Sequence, residues 1–494
     1  MEPLVNAAAG HERFDRKEAV AIRGSSTGAG CFAVFDPLGV SLGSDVNIRQ
    51  NSAFHARRAF NSMRPSMTTT ASLVARRDRA LGTGAQLFYT KPLHIVRGDG
   101  VYLFDADGRR YVDMYNNVPC VGHANPQVVE AMAKQQATLN VHSRYLHEGI
   151  VEFAERLAKL HERAVESVVF SCSGTEANEV ALRMARIATG KRGIVCTNAT
   201  YHGNSEAVGV LTRTRGDQPN ATDVRAFPFP ERYRPVLAGV SDAALVDAYL
   251  ERLQREIHYL ESNGSGFAGL IVCSIFANEG LPDVPRGFMP RAAEMVRAAG
   301  GLVIADEVQA GYCRTGRWWG YEVTGFTPDI VVTGKPMGNG LPLAATAASK
   351  ALVDKFRAAT HYFNTFASSP LQAAVGMTVL DIIERDRLRE NAAAVGAALK
   401  RSLGERKPRC AAIGDVRGEG LFIGIEMVKD RDGKAPDREG AVDFVNRLKD
   451  KGFLTSNAGI FGNVVKIRPP LVFKQNHADE FLTAFDATLA EIDG

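Results

Sequence analysis

Short apolar runs rich in β-branched residues alternate with amphipathic helical stretches from residue 168 onward. The runs are VVF (168–170), GIVC (193–196), GLIVC (269–273), GLVIA (301–305) and IVVTG (330–334). Strands that alternate with helices form a mostly parallel sheet whose two faces are covered by helices. We therefore predict an α/β protein with a large domain built around such a sheet.

The pattern changes after residue 364, where a long helical stretch precedes strands near 413–428 and 463–468 and helices near 441–450 and 477–492. This pattern predicts a second, smaller α+β domain. A chain of 494 residues exceeds the usual length of one domain. The predicted parts are a leader over 1–75, an N-terminal part of the small domain over 76–135, a large domain over 136–370 and a C-terminal small domain over 371–494.

The leader mixes Gly, Ser, Asn and Arg without a sustained helical or strand period, so we expect it to be poorly ordered and dispensable for catalysis. Met63 and Met67 lie just before the patterned region, so part of the leader could result from an upstream start. Acidic residues at 12, 15 and 18 argue against a targeting peptide.

Composition excludes several classes of function. A formal net charge of +4, with no long Lys/Arg block, gives no case for nucleic-acid binding. The longest strongly apolar stretch, 266–277, is far short of the ~20 residues of a membrane helix, and the N-terminus lacks a signal-peptide core. Seven cysteines without a CxxC pair or metal-ligand spacing indicate free thiols and no metal site. We expect a cytoplasmic protein that does not associate with membranes.

Residues 173–179 (SGTEANE) follow an apolar strand and open an Ala-rich helix over 180–188. Small residues at a helix start expose backbone N–H groups to an anion, which makes this segment a candidate phosphate site. Ser and Thr are also favoured as ordinary helix caps, and this alternative stays open.

Asp306 stands at the carboxyl end of the run GLVIA, where α/β sheets bind their ligands. A carboxylate there can hydrogen-bond a pyridinium nitrogen and keep it protonated. It could equally cap a loop or bind Mg²⁺ beside a phosphate.

Lys335 lies among glycines after the run IVVT. A Walker-type phosphate loop would require Gly at 329 and Ser or Thr at 336, so Asp329 and Pro336 exclude it. A lysine at the active edge of a sheet can be partly desolvated and act as a nucleophile in Schiff-base chemistry. The alternative is a surface lysine on a loop.

Taken in order, SGTEANE, YHG (201–203), ADEVQ (305–309), TGK (333–335) and NTF (364–366) resemble the class III, or omega, aminotransferases of pyridoxal-phosphate (PLP) fold type I. The resemblance runs from about residue 87 to the C-terminus. It implies a large PLP-binding domain, a small domain and a homodimer with shared active sites.

The resemblance also implies a set of cofactor-binding positions. They are Gly174, Thr175, Tyr201, His202, Asp306, Val308, Gln309, Lys335 and Thr365. Gly174 and Thr175 should bind the phosphate, to which Thr365 should reach from the neighbouring subunit. Tyr201 should stack on one face of the pyridine ring and Val308 should pack on the other.

Three of these positions should contact the polar groups of the cofactor. Asp306 should pair with the ring nitrogen, Gln309 should contact the phenolic oxygen, and Lys335 should carry PLP as a Schiff base. A phosphate site, a carboxylate for a cationic ring and a poised amine are what PLP requires. Asp306 and Lys335 are therefore the predicted catalytic residues.

Substrate recognition departs from the family pattern. At the position of Cys273, many members of the family that this chain resembles carry a glutamate. In those members the glutamate partners an arginine that binds a substrate carboxylate. The arginine position itself falls at Lys466, and Lys466 and Arg468 point the same way if this segment is a strand. Either could hold a substrate carboxylate; otherwise both are solvated charges on an edge strand.

Residues 115–118 (YNNV), 121–123 (VGH) and 143–147 (SRYLH) are similar to a subgroup that contains omega-amine transaminases and ethanolamine-phosphate phospho-lyases. Tyr115 and Arg144 join Lys466 and Arg468 as candidate substrate-binding residues. Our leading hypothesis is transfer of an amino group from an amine or omega-amino acid to pyruvate or 2-oxoglutarate.

Two other readings remain. A phospho-lyase would expel a phosphate from a phosphorylated amino alcohol and would need extra cations, for which Arg144 and Arg468 are candidates unless they form structural ion pairs. An inert PLP-fold scaffold would have no need of Lys335 or Asp306.

Overall fold

The computed structural model describes residues 69–493, apart from 162–164 and 214–220. Almost all of the predicted leader lies outside the described residues. The last residues of the predicted leader are described and are helical, because helix α1 (Thr70–Leu81) begins before the predicted boundary at residue 75. Residues 70–494 form a compact unit.

The secondary structure of this unit alternates as the sequence predicts. The remaining helices in the described part are α2 (Pro126–Thr138), α3 (Glu148–Lys159), α4 (Gly174–Thr189), α5 (Glu206–Gly209), α6 (Asp242–Ser262), α7 (Phe288–Ala298), α8 (Gly320–Thr324), α9 (Lys350–Thr360), α10 (Pro370–Arg385), α11 (Leu388–Arg406), α12 (Arg438–Asp450) and α13 (Gln475–Asp493), with a 3₁₀ turn at Lys407–Arg409. The strands are β1 (Ile95–Asp99), β2 (Tyr102–Asp105), β3 (Arg110–Asp113), β4 (Ser167–Ser171), β5 (Gly193–Thr197), β6 (Val224–Phe227), β7 (Phe267–Cys273), β8 (Leu302–Asp306), β9 (Ile330–Thr333), β10 (Ala344–Ala348), β11 (Ile413–Glu419), β12 (Phe422–Met427), β13 (Phe453–Leu454), β14 (Ser456–Ala458) and β15 (Val464–Ile467).

The large sheet has the strand order β4-β10-β9-β8-β7-β5-β6. All its strands run parallel except β10, which is antiparallel to both β4 and β9. The five apolar runs are β4, β5, β7, β8 and β9, so the predicted α/β class and the mostly parallel sheet are confirmed.

Strands β6 and β10 were not predicted. The sequence of β10, AATAA, has little intrinsic preference for a strand, yet all five residues are buried. Helix α4 packs directly on it, and the Thr346 hydroxyl donates a hydrogen bond of 2.7 Å to the carbonyl of Ala177. Small side chains allow this close approach, so tertiary packing determines the strand.

Two smaller four-stranded sheets complete the unit, with orders β1-β2-β3-β13 and β11-β12-β15-β14. In the first, β13 pairs in parallel with β3, with Phe453 opposite Val112. The two segments that the sequence assigns to one small domain therefore share a sheet.

The single long helix predicted after residue 364 is wrong. The chain instead forms α10 and α11, which are separated at Arg387, a residue with a left-handed backbone (φ 52°). A left-handed residue cannot continue an α-helix, so α11 starts in a new direction.

The carboxyl ends of the central strands define where a ligand would bind. Strands β7, β8 and β9 are adjacent and parallel, and they end at Cys273, Asp306 and Thr333. No helix in the described part of the chain is long and apolar enough to cross a membrane.

Candidate active site

The start of helix α4 faces the carboxyl edge of the sheet. Ser173 caps it by accepting a 3.2 Å hydrogen bond from the Glu176 N–H. A Cβ on Gly174 would lie 2.9 Å from Val308 Cγ1, so a glycine is needed for the helix end to pack on the residues after β8. First-turn N–H groups have no partner within a helix, which leaves those of Gly174 and Thr175 suited to an anion.

Residues 201–203 are held against this helix end. The Asn178 side chain donates to the His202 carbonyl (2.8 Å) and the Asn278 side chain donates to the Tyr201 carbonyl (3.2 Å). Gly203 has a φ of 149°, and a Cβ there would lie 2.6 Å from Thr175 Oγ1. The segment can therefore approach Thr175 only because residue 203 is glycine.

Gly203→Ala is expected to weaken PLP binding by at least about tenfold and to destabilise the fold by roughly 1–3 kcal/mol, because the methyl group displaces Thr175 and strains the backbone. Cofactor titration and thermal unfolding measure the two effects. Gly209→Ala is the matched control, since its Cβ would meet nothing closer than 3.9 Å. Equal behaviour of the two variants would contradict this account of residue 203.

Asp306 is fixed by three donors at the end of β8. Its Oδ2 accepts from His202 Nδ1 (2.6 Å) and Asn178 Nδ2 (3.1 Å), and its Oδ1 accepts from the Val308 N–H (3.0 Å). The second ring nitrogen of His202 lies 2.9 Å from the Thr200 hydroxyl. Both nitrogens of the buried His202 are thus engaged, and we assign it to holding Asp306 rather than to contacting the cofactor through a ring nitrogen.

Lys335 follows β9 and lines the same cavity as Asp306. Burial lowers the pKa of Lys335, the cation of Arg468 lowers it further, and Asp306 opposes the shift. The loop behind Lys335 is braced by Asn339, whose side chain accepts from the Val121 N–H (3.0 Å) and donates to the Gly122 carbonyl (3.0 Å). The result is a held, partly desolvated amine, as nucleophilic chemistry requires.

These groups surround a cavity of about 380 Å³, part of which is open to solvent. It is lined by Gly174, Thr175, Tyr201, His202, Gly203, Cys273, Asn278, Asp306, Val308, Gln309 and Lys335. The structure therefore brings together every predicted cofactor position except Thr365. Sequence reasoning assigned no cofactor role to Cys273, although its place at the end of β7, paired with Asp306 on β8, could have indicated one.

Arg468 and Tyr115 lie beside this cavity. Arg468 is 5% exposed, donates to the Tyr115 carbonyl (2.9 Å) and bonds the side-chain oxygen of Gln309. Its guanidinium carbon is 4.8 Å from the centre of the Tyr115 ring. Burial lowers the pKa of Arg468.

Lys466 is 3% exposed and lies two residues before Arg468. Burial lowers the pKa of Lys466 to about 7, with Arg468 contributing in the same direction. The alternative that these are solvated charges on an edge strand is wrong, because β15 lies between β12 and β14. Two buried basic side chains therefore act electrostatically on Lys335.

Arg144 and Thr365 are exposed and lie outside this cavity. The Arg144 guanidinium carbon is 4.2 Å from the centre of the Phe363 ring. Nearby, the Asn364 side chain accepts from the N–H groups of Phe366 and Ala367 (both 3.1 Å). Their roles at a substrate and at a neighbouring subunit's phosphate stay predictions.

Comparison with known proteins decides what this arrangement is. The family model for class-III aminotransferases matches residues 87–489. The chain belongs to this family. Its cofactor is PLP, and the enzyme class predicted from the sequence is confirmed.

Among the relatives of this class-III aminotransferase are proteins named for two activities. It is 35% identical over 447 residues to "Alanine--glyoxylate aminotransferase 2-like" of Drosophila melanogaster, covering 88% of this chain and 90% of the relative. It is 33% identical over 453 residues to "Ethanolamine-phosphate phospho-lyase homolog 1" of Caenorhabditis elegans, covering 87% and 97%. The relatives therefore leave the reaction open.

Solved structures divide in the same way. A phospholyase from Arthrobacter in complex with phosphoethanolamine matches with a TM-score of 0.82 and 39% identity, covering 85% of this chain and 99% of that one. An omega transaminase from Pseudomonas jessenii matches with a TM-score of 0.75 and 26% identity, covering 81% and 93%.

The residues of this chain fit PLP. The space that Gly174 and Gly203 leave beside Thr175 and Val308 forms a cradle that a Cβ at either glycine would disturb. Asp306 is a buried carboxylate for a cationic ring, and Lys335 supplies the amine. Tyr201 and Val308 line the cavity, as two faces of a planar ring require.

Proposed function

We propose that the enzyme transfers an amino group from a primary amine or omega-amino acid to a keto acid, pyruvate or 2-oxoglutarate. The observation that carries this proposal is the pair of buried basic side chains, Lys466 and Arg468, which both act electrostatically on the amine of Lys335. Desolvated cations form strong hydrogen bonds with carboxylates. They support a site for the carboxylate of the acceptor.

The protein's own groups divide the work. When bound, PLP supplies an electron sink for the charge that develops at the donor carbon. Lys335 Nζ removes the proton from the carbon that bears the donor's amino group and returns a proton in the reverse half of the cycle. Asp306, fixed by His202 and Asn178, keeps a proton on the group that faces it.

Arg468 positions the acceptor in this proposal. Its bond to Gln309 orients it at the edge of the cavity, and its contact with the Tyr115 ring keeps one side of the guanidinium covered. The carboxylate of a keto acid would thus lie on the Lys466 and Arg468 side, with its carbonyl carbon toward Lys335.

A second candidate is a phospho-lyase that eliminates phosphate from a phosphorylated amino alcohol. Two observations favour it: the same two cations suit a phosphate dianion, and the Arthrobacter phospholyase matches over 99% of its length. In this reaction Lys335 would again remove the proton, and the phosphate would leave toward Lys466 and Arg468.

One experiment separates the two activities. Purified PLP-loaded enzyme is given a panel of amines with pyruvate or 2-oxoglutarate and, in parallel, phosphoethanolamine with an assay for released phosphate. Amino acid formation without phosphate release supports the aminotransferase. Phosphate release with no transfer from any amine would overturn it in favour of the lyase.

Lys466→Met is expected to raise KM for the keto acid about 10- to 100-fold with a smaller effect on kcat, because one charge-assisted bond of roughly 1.5–3 kcal/mol to the acceptor is lost. Steady-state kinetics with the acceptor varied measures this. The control is Lys474→Met, an exposed lysine on the segment that follows β15. A KM unchanged by Lys466→Met would show that the acceptor binds elsewhere.

We further propose that the enzyme is a cytoplasmic homodimer in which Thr365 completes the partner's phosphate site. Support comes from the exposed position of Thr365 beside exposed aromatic side chains, Phe363 (37%) and Phe366 (76%). Exposed apolar patches mark interaction surfaces.

A further inference from the structure

Strand β7 ends at Cys273, and a buried carboxylate, Glu279, lies six residues further along the chain. Glu279 is 2% exposed. The Thr197 hydroxyl donates to its Oε1, while its Oε2 has no hydrogen-bond partner among the described residues. A buried carboxylate oxygen without a donor is costly and calls for a partner.

The backbone around Glu279 is clamped onto the sheet that contains Lys466. The Gly459 N–H donates to the Asn278 carbonyl (3.1 Å), and Arg417 Nε donates to the Gly280 carbonyl (3.0 Å). The turn cannot move away from this sheet without breaking both bonds.

The face of the sheet under this turn is the face from which Lys466 projects. Gly424 is the cross-strand partner of Lys466, and directly opposed residues share a face. A Cβ on Gly424 would lie 3.2 Å from the Gly280 carbonyl, and a Cβ on Gly280 would lie 2.9 Å from Val464. Lys466 therefore leaves the sheet next to the residue that follows Glu279.

The carboxylate of the strand next to Lys466 is already occupied. Glu426, two residues from Gly424 on the same strand, bonds Arg234 (2.5 Å), Arg417 (2.5 Å) and Asn463 (2.6 Å). Within the described residues no carboxylate lies in ion-pair distance of Lys466, whose ammonium is 5.7 Å from the centre of the Phe422 ring. Glu279 is a buried carboxylate whose charge does act on Lys466.

We propose that Glu279 is the positioning residue for Lys466: it holds Lys466 as the charged ammonium and so sets the strength with which the site binds a substrate's anionic group. The inference rests on the proposed function, in which Lys466 binds that group. The anion is a carboxylate or a phosphate.

The direction of the pH effect follows from the surrounding charges. Arg468 and Lys335 lower the pKa of Lys466 beyond the effect of burial, whereas Glu279 and Cys273 raise it. Burial raises the pKa of Cys273 far above its ordinary value, so that thiol is uncharged near pH 7. Around Glu279, whose pKa burial raises, the other titratable neighbour is His202. Removing the Glu279 charge should thus lower the pKa of Lys466.

The test is the binding of pyruvate and, separately, inorganic phosphate to PLP-loaded enzyme without an amine donor, measured by calorimetry from pH 6 to pH 8.5. Glu279→Gln should bind within about twofold of wild type at pH 6. At pH 8.5 it should bind about tenfold more weakly, as a pKa lower by one unit implies. General structural damage would weaken binding equally at all pH values.

Two further variants complete the test. Lys466→Arg, whose charge does not titrate in this range, should flatten the profile, and adding Glu279→Gln to it should produce no alkaline loss. Glu231→Gln is the matched control, because burial also raises the pKa of Glu231, to about 7, outside the cavity. It should follow the wild-type profile.

An unshifted Glu279→Gln profile, or no saturable binding of either anion to wild type, would overturn the inference. The inference is supported whether the enzyme binds pyruvate or phosphate more tightly. The anion that binds more tightly is the one that Glu279 and Lys466 recognise. The binding measurement needs no turnover, so it is independent of the amine-donor assay. An enzyme that transfers no amino group can still show the weaker binding of Glu279→Gln at pH 8.5, and an active aminotransferase can fail to show it.

Discussion

Lys335→Ala is expected to lower kcat/KM by about 10³-fold or more, because the variant loses both the amine that attaches the cofactor and the group that moves the proton. Borohydride reduction followed by peptide mass analysis should find the cofactor on the peptide containing Lys335 in wild type. In the variant, PLP should bind without a covalent bond. The structure supports this role through the partial burial of Lys335 and its place beside Asp306.

Lys350→Ala provides the control for this prediction, since Lys350 is an exposed lysine paired with Asp354 on the surface of α9. It should retain wild-type rates and the same reduced peptide. A Lys335→Ala enzyme with near wild-type turnover, or with the cofactor attached to another lysine, would remove the central assignment.

Asp306→Asn is expected to reduce kcat about 100-fold or more, because a neutral amide no longer stabilises a proton on the group that faces it. The amide also meets donors on both sides, since His202 and Asn178 donate to one carboxylate oxygen and the Val308 N–H donates to the other. A stability loss of roughly 1–3 kcal/mol should accompany the rate loss. Single-turnover kinetics and thermal unfolding measure the two separately.

Asp329→Asn is the matched control. Asp329 accepts a 2.8 Å bond from the Val303 N–H and a 3.1 Å bond from Arg297, but it lies at the opposite end of the same strands. It should lose stability without losing kcat. If both variants lose only stability, Asp306 has a structural role and the proposed proton on its partner must be held by another group.

The meeting of Asp306 and Lys335 in one cavity could be predicted because the sequence signals for it are local. Asp306 and Lys335 each follow a continuous apolar run, and adjacent parallel strands bring their carboxyl ends to one edge. The glycine-containing start of α4 could be recognised in the sequence because it also follows an apolar run. Such features depend only weakly on strand order, so they can be recognised in the sequence without knowledge of tertiary contacts.

Other features depend on contacts between residues distant in sequence. The bond from His202 to Asp306 and the packing of the Glu279 turn on the sheet that contains Lys466 arise only when separate segments meet. Strand β10 is formed by packing under α4, against the weak preference of an alanine run. The burial of Lys466 follows from the insertion of β15 between two strands, which no local pattern indicates.

The pairing of β3 with β13 has a consequence for protein synthesis. Val112 is made early and its partner Phe453 is made near the end, so the sheet that unites them cannot close while most of the chain is still being translated. Residues 121 and 122, which brace the Lys335 loop, follow β3. A nascent chain on the ribosome can therefore complete the large sheet first. The loop that carries Lys335 gains its full support only when the last segments emerge. Until then, the unpaired edge of β3 is a site for chaperone binding or misassembly.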